Sequence, residues 1–119
     1  MIFRNVLAAA TVVLAFSQAF AATAPSYTAV VNSDGSLARG LHAASATRLG
    51  KGTYEVDFTH DVTTCGYTAT IGLSGTGGVS DPGAVTIVGR SGTPDGLYIQ
   101  TFSQKGKPAD LGFHVIVAC

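Results

Sequence analysis

The chain has 119 residues, which is enough for one domain and too short for two of ordinary size. Its seven basic and seven acidic residues give a formal net charge of zero. Because phosphate binding needs a cluster of cations and this sequence has none, we expect no nucleic-acid partner. Hydrophobic residues make up 46% of the chain and charged residues 12%, and much of this bias lies near the N-terminus.

The N-terminal segment, 1–21, has the three parts of a secretory signal peptide. Arg4 supplies the positive charge, residues 6–16 form an apolar run, and a small-x-small pattern ends at Ala21. The run is about eleven residues long, whereas a membrane-spanning helix needs roughly 20. We therefore expect cleavage between Ala21 and Ala22, with no stable membrane anchor afterwards. A retained anchor helix is the alternative.

The predicted mature domain, 22–119, is rich in glycine and carries both cysteines. All fifteen glycines lie in it, which predicts many tight turns between short elements. An even pair of cysteines in an oxidising compartment indicates one disulfide, here between Cys65 and Cys119. Two free buried thiols are the alternative. The expected location is the periplasm or the outside of the cell.

The first half of this domain shows the alternation of polar and apolar residues that is typical of strands. Its clearest strand has Tyr54, Val56 and Phe58 on one face, with Glu55 and Asp57 on the other. A strand with one solvated face has this pattern. The predicted strands in this half are 27–31, 36–39, 43–49 and 53–58.

The second half continues the pattern with longer connections. Residues 73–83 hold four glycines and a proline, which predicts a long loop, and residues 103–111 are interpreted as a hairpin connection. The last strand is expected to be central and buried on both faces. The predicted strands in this half are 67–71, 84–90, 97–102 and 113–118.

No segment of the mature part shows a convincing helical period. The sequence therefore predicts an all-β fold, a small antiparallel β-sandwich of the jelly-roll or Ig-like kind. It would contain about seven or eight short strands and one disulfide.

Three histidines are the first candidates for chemistry. His60 and Asp61 are adjacent, and together with His114 they are the candidate catalytic residues of a small hydrolase. A zinc site could draw on His42 as well, but no pair has the ligand spacing of a helix or strand site. We expect two surface histidines and one strand histidine, no metal and no cofactor.

Carboxylates and aromatic rings are the other candidates. Glu55 and Asp57 share a strand face, as a glycosidase pair could, but a solvated face is the simpler interpretation. Flat aromatic rings stack on sugars. Tyr54 and Tyr67 lie on the apolar faces of their predicted strands and are expected in the core, so Tyr27 and Tyr98 are the remaining candidates.

Two stretches carry a resemblance to known proteins. The first consists of Val31, Asn32, Asp34, Gly35, Gly50, Gly52, Tyr54, Val56 and Phe58, and the second of residues 65–72 and 113–119. The first resembles a β-rich segment of bacteriophage tail-fibre proteins, in which an N-x-x-G turn precedes a G-x-G-x-Y-x-V-x-F strand. The second is similar to bacterial secreted proteins. The resemblance implies a β-sandwich-like module used for display or binding, sometimes as a trimer.

The sequence as a whole favours a non-enzymatic secreted or periplasmic β-module for binding or for surface and structural interaction. A protein or a glycan would be its partner, and self-association into a homo-oligomer is an open alternative. Two other hypotheses remain. One is an inhibitor of a secreted enzyme that uses loop 73–83, and the other is the small hydrolase that uses His60, Asp61 and His114.

Overall fold

The computed structural model describes residues 10–13 and 26–119. Residues 10–13 are exposed and have no regular secondary structure, and the predicted cleavage position between Ala21 and Ala22 lies outside the described residues. In the part of the chain that is described, no helix is long and apolar enough to cross a membrane.

Eight strands form the domain, and each corresponds to a predicted strand with ends that differ by at most two residues. They pair entirely antiparallel in two sheets of four. The predicted all-β sandwich is therefore confirmed. The strands are β1 (Ser26–Val31), β2 (Leu37–Leu41), β3 (Ala43–Gly50), β4 (Thr53–Phe58), β5 (Gly66–Ile71), β6 (Gly83–Gly89), β7 (Gly96–Ser103) and β8 (Phe113–Ala118).

The first sheet has the strand order β2-β1-β8-β5, and the second has the order β3-β4-β7-β6. Three hairpins, β1–β2, β3–β4 and β6–β7, remain within a sheet, and every other connection crosses between the sheets. The core lies between the two inner faces, because alternate residues of each central strand point inward. Its largest members are Tyr54, Phe58, Phe113, Leu97, Ile99, Val31 and Val56.

The antiparallel pairing gives the sandwich two ends with different connections. What we call the upper end carries the turns 32–36 and 51–52 and the loops 72–82 and 104–112. The lower end carries the remaining connections, which are residue 42 and the loops 59–65 and 90–95, together with the C-terminal Cys119.

The disulfide between Cys65 and Cys119 is confirmed, with a Cα–Cα distance of 4.3 Å. It continues the β5–β8 ladder by one step beyond the Gly66–Ala118 pair. Cys65 directly precedes β5 and Cys119 directly follows β8, and the two strands pair in register, so the two cysteines lie opposite each other at the lower end. A disulfide is compatible with an extracellular or periplasmic location.

Two details differ from the sequence prediction. Strand β8 is central in its sheet, but Ile116 on its outer face is 53% exposed, so the predicted burial on both faces is wrong. The second sheet covers only the inner face of β8. The segment after β7 does reverse direction, and Pro108 pairs with Phe102. It then crosses to the other sheet, so β7 and β8 do not form a hairpin.

Candidate functional site

A cleft of about 370 Å³ opens at the upper end of the sandwich. Three connections form its walls: the turn after β1, the glycine-rich loop between β5 and β6, and the segment that leads into β8. Its lining residues are Asn32, Ser33, Ile71, Leu73, Ser74, Gly75, Gly77, Ser80, Asp81, Asp110, Leu111 and Gly112.

Asp110 anchors one wall of this cleft through a network of charged and neutral donors. Its carboxylate accepts a hydrogen bond from the Gly52 amide at 2.8 Å and forms a salt bridge with Arg48 at 3.1 Å. The Arg48 guanidinium, and after it the Gly52 amide, hold the pKa of the Asp110 carboxyl below its usual value. The buried Tyr54 hydroxyl donates to the Ser33 carbonyl at 2.7 Å and ties the opposite wall to the same network.

The geometry of the 51–52 turn explains why a glycine precedes β4. Gly52 has a φ of +66°, a conformation that side chains rarely adopt. A Cβ atom at this position would lie 2.6 Å from the Thr101 carbonyl oxygen. The close approach allows the Gly52 amide to reach Asp110.

The loop 72–82 forms the other wall, and its first residues are anchored to the outer face of the first sheet. Arg39 donates to the Ser74 carbonyl at 2.7 Å. The Nε2 atom of His114 lies 2.8 Å from the Leu73 carbonyl oxygen, so this nitrogen carries the hydrogen. These two bonds hold the loop against the sheet where it begins to form the cleft.

The chemistry of the lining is that of a hydrogen-bonding site. It combines serine hydroxyls, an amide and two carboxylates, with Ile71, Leu73 and Leu111 as apolar surface. Asp110 is already paired with Arg48, whereas the salt bridges found within residues 26–119 do not involve Asp81. Of the described residues that line the cleft, none is Lys, Arg or His. Asp81 is therefore the charged group best placed to receive a ligand's hydrogen-bond donors.

The predicted hydrolase residues do not come together. His60 stacks on Tyr27 at the lower end, with ring centroids 5.3 Å apart. The Asp61 carboxylate accepts hydrogen bonds from the hydroxyl and the amide of Thr63, and these bonds, the hydroxyl first, lower the pKa of Asp61. His114 points to the outer face of the first sheet, whereas Tyr27 points to the inner face. The sheet therefore separates His114 from the other two.

The Glu55–Asp57 pair lies on the outer face of the second sheet, as predicted, but it is not simply solvated. Arg90 forms a salt bridge with Glu55 at 2.6 Å. Burial, and then the neighbouring Glu55, raise the pKa of the Asp57 carboxyl. One oxygen of Asp57, Oδ1, is buried without a hydrogen-bond partner among the described residues.

The two tyrosines considered for sugar stacking are both occupied by other contacts. Tyr27 is only 6% exposed and packs against Phe58, so its expected availability at the surface is wrong. Tyr98 is half-buried, and the Arg90 guanidinium carbon lies 5.4 Å from its ring centroid.

Sequence reasoning missed both the cleft and a contact between two histidines at the lower end. His42 and His60 have ring centroids 5.8 Å apart. Pairing of β3 with β4 explains this contact, because Ala43 faces Phe58 in the ladder. Both strands are predicted from the sequence, so pairing them as a hairpin is the signal that would have placed His42 beside His60.

Comparison with known proteins finds no matching family model, no similar curated protein and no similar solved structure. Fold and site together define a small disulfide-linked β-sandwich with a ligand-sized cleft between its upper loops.

Proposed function

We propose that the protein is a non-enzymatic binding module, exported to the periplasm or the cell exterior, which takes the end of a glycan into its upper cleft. The observation that carries this proposal is the cleft itself, of about 370 Å³ and lined by hydrogen-bonding side chains. Small-molecule sites in proteins have volumes of roughly 300–1,000 Å³. The predicted signal peptide and the disulfide support export.

The lining favours a neutral polyol over an anion. Serine hydroxyls, the Asn32 amide and the Asp81 carboxylate can each bond to sugar hydroxyls, and the carboxylate is the strongest acceptor. Leu73 and Leu111 offer apolar surface to the C–H face of a sugar ring. A phosphate or carboxylate ligand would need basic partners, which the described lining lacks.

Screening of the full chain on an array of neutral and charged glycans, followed by calorimetry, tests the proposal. We expect binding of a neutral glycan, and Asp81→Asn should weaken it by about tenfold or more because a charge-assisted hydrogen bond is lost. Asp95→Asn, at the opposite end of the sandwich, is the matched control and should leave affinity unchanged. Equal affinities for the wild type and Asp81→Asn would place the ligand elsewhere.

Inhibition of a secreted enzyme is a second candidate function, favoured by one observation. Val79, in the loop 72–82, is 89% exposed. An exposed apolar side chain on a surface loop suits contact with a partner protein. If this second function is correct, the wild-type protein should inhibit an enzyme in a panel of proteases and glycosidases. The Val79→Asp variant should lose this inhibition, and the Asp81→Asn variant should keep it.

A further inference from the structure

The lower end of the sandwich brings two imidazole rings together. His42 connects β2 to β3, and His60 follows β4. The Thr59 amide donates to the His42 carbonyl at 2.9 Å, which fixes the two backbone segments side by side. Both histidines are exposed, and their ring centroids are 5.8 Å apart.

Tyr27 contacts the imidazole rings of both His42 and His60 on the side of the core. His60 stacks on the tyrosine ring with an interplanar angle of 13°, and His42 meets the same ring edge-on at a centroid distance of 5.5 Å. Tyr27 itself belongs to the core and packs against Phe58. The rings thus rest on a rigid support, which lowers the entropy that a bound ligand would have to remove.

One nitrogen of His60 is already engaged, and this leaves the other for a ligand. Its Nδ1 atom lies 2.9 Å from the Thr59 hydroxyl oxygen. When Nδ1–H donates to that oxygen, the lone pair of Nε2 is free and the ring orientation is set. Metal-binding histidines in proteins are oriented by such a second hydrogen bond.

The backbone at His42 is in the left-handed region, with a φ of +57°. Among the described residues it is the one non-glycine position with a positive φ. This conformation is unfavourable for an ordinary residue, and strained positions of this kind are found at functional sites. Here the strained residue is one of the two that present an imidazole.

We propose that His42 and His60 form a two-histidine site for a borderline transition-metal ion, with Cu²⁺ bound more tightly than Zn²⁺. A metal about 2.1 Å from one nitrogen of each ring, with a tetrahedral angle between the two bonds, would place the ring centroids roughly 5 Å apart. The two rings are 5.8 Å apart and nearly perpendicular, so a small rotation of these exposed side chains brings one nitrogen of each to the metal. Imidazole suits both ions, and the general order of affinities puts Cu²⁺ first.

Protein side chains would fill only part of the coordination sphere. Asp61 is adjacent, but its carboxylate is directed at Thr63. Within residues 10–13 and 26–119, no group of three or more metal-ligating side chains is found. The site is therefore open, with positions left for water or for donor atoms of a second molecule.

Copper titration of the full chain, without a histidine tag and in a weakly coordinating buffer, tests the proposal. The sequence has no tryptophan, so tyrosine emission is observed directly. Since Tyr27 contacts both histidines, one equivalent of Cu²⁺ should quench part of this emission, and the paramagnetic resonance spectrum should show coupling to two nitrogens. Zn²⁺ should displace the copper only when present in excess.

Three variants separate this site from non-specific binding. His42→Asn keeps a residue that tolerates the left-handed backbone, and His60→Gln keeps a polar side chain of similar length. Each should weaken Cu²⁺ binding by at least tenfold. His114→Gln, which retains a donor for the Leu73 carbonyl, is the control and should bind as the wild type does.

Binding of Cu²⁺ to the double variant His42→Asn/His60→Gln as tight as to the wild type would overturn the proposal, as would tighter binding of Zn²⁺ than of Cu²⁺. Circular dichroism and thermal unfolding establish that each variant is folded. If His42→Asn unfolds, His42→Gly replaces it, because glycine adopts this φ without strain. The glycan titration described above should be unaffected by the His42 and His60 variants, since the two sites lie at opposite ends.

Discussion

Reduction of the Cys65–Cys119 disulfide should lower the free energy of unfolding by about 4 kcal/mol. The two cysteines are 54 residues apart in the sequence, and the entropy of closing a loop of this length in the unfolded chain corresponds to about 4 kcal/mol at 25 °C. Domains of this size are stable by roughly 5–15 kcal/mol in total. The cross-link would therefore supply a large part of the stability.

The position of the bond also predicts where the loss appears first. Strand β5 is at the edge of its sheet and pairs only with β8. Since the disulfide closes the end of this pair, amide hydrogens of β5 should exchange faster after reduction, whereas those between β1 and β8 should keep more of their protection.

Urea unfolding of the full chain with and without reductant measures the effect. Reduction keeps both sulfur atoms, so it separates the cross-link from side-chain packing. The variant Cys65→Ala/Cys119→Ala additionally loses the contacts of Cys65 with the core and should be less stable than the reduced wild type. A change of less than about 1 kcal/mol on reduction would refute the loop-entropy reasoning.

Three further predictions concern a buried hydroxyl, a glycine with a positive φ and a partly buried carboxylate. Tyr54→Phe leaves the Ser33 carbonyl without its donor and should cost about 1–2 kcal/mol in urea unfolding; no change would mean that water replaces the hydroxyl. Gly52→Ala brings a Cβ atom to within 2.6 Å of the Thr101 carbonyl oxygen and should lower the melting temperature far more than Lys51→Ala does. The raised pKa of Asp57 means that the folded state disfavours its carboxylate. Asp57→Asn should therefore be more stable than the wild type at neutral pH, and the difference should close as the pH falls through the raised pKa of Asp57 towards the ordinary value of 3.8; a gap that widens in acid would contradict the assigned cause.

The strands were predictable because one face of a strand packs in the core of the sandwich and the other face contacts water. Within β4, Tyr54, Val56 and Phe58 are buried and the residues between them are not. The alternation of apolar and polar residues in the sequence matches this alternation of burial. Several turns were predictable as well, since glycines lie at turn positions where the backbone has a positive φ. Ile116 shows the limit of the method, because an apolar side chain on an outer face looks the same in sequence as one in the core.

The candidate sites depend on relations that a linear pattern does not contain. The cleft exists because Arg39 and His114, on different strands, bind carbonyls at the start of the loop 72–82. The histidine contact depends on which strands pair and in which register. Such cross-strand information was absent from the spacing of the histidines along the chain.

The neighbouring positions of β1 and β8 have a consequence for how the domain could be attached to something else. Ser26 pairs with Ala118, so the polypeptide enters and leaves the sandwich at adjacent points of the lower end. A tether joined at either point, whether a linker, a fusion partner or a solid support, would leave the upper cleft facing away from the attachment. The same arrangement makes the 104–112 connection at the upper end a suitable place to open the chain in a circular permutant, with the old ends joined by a short linker.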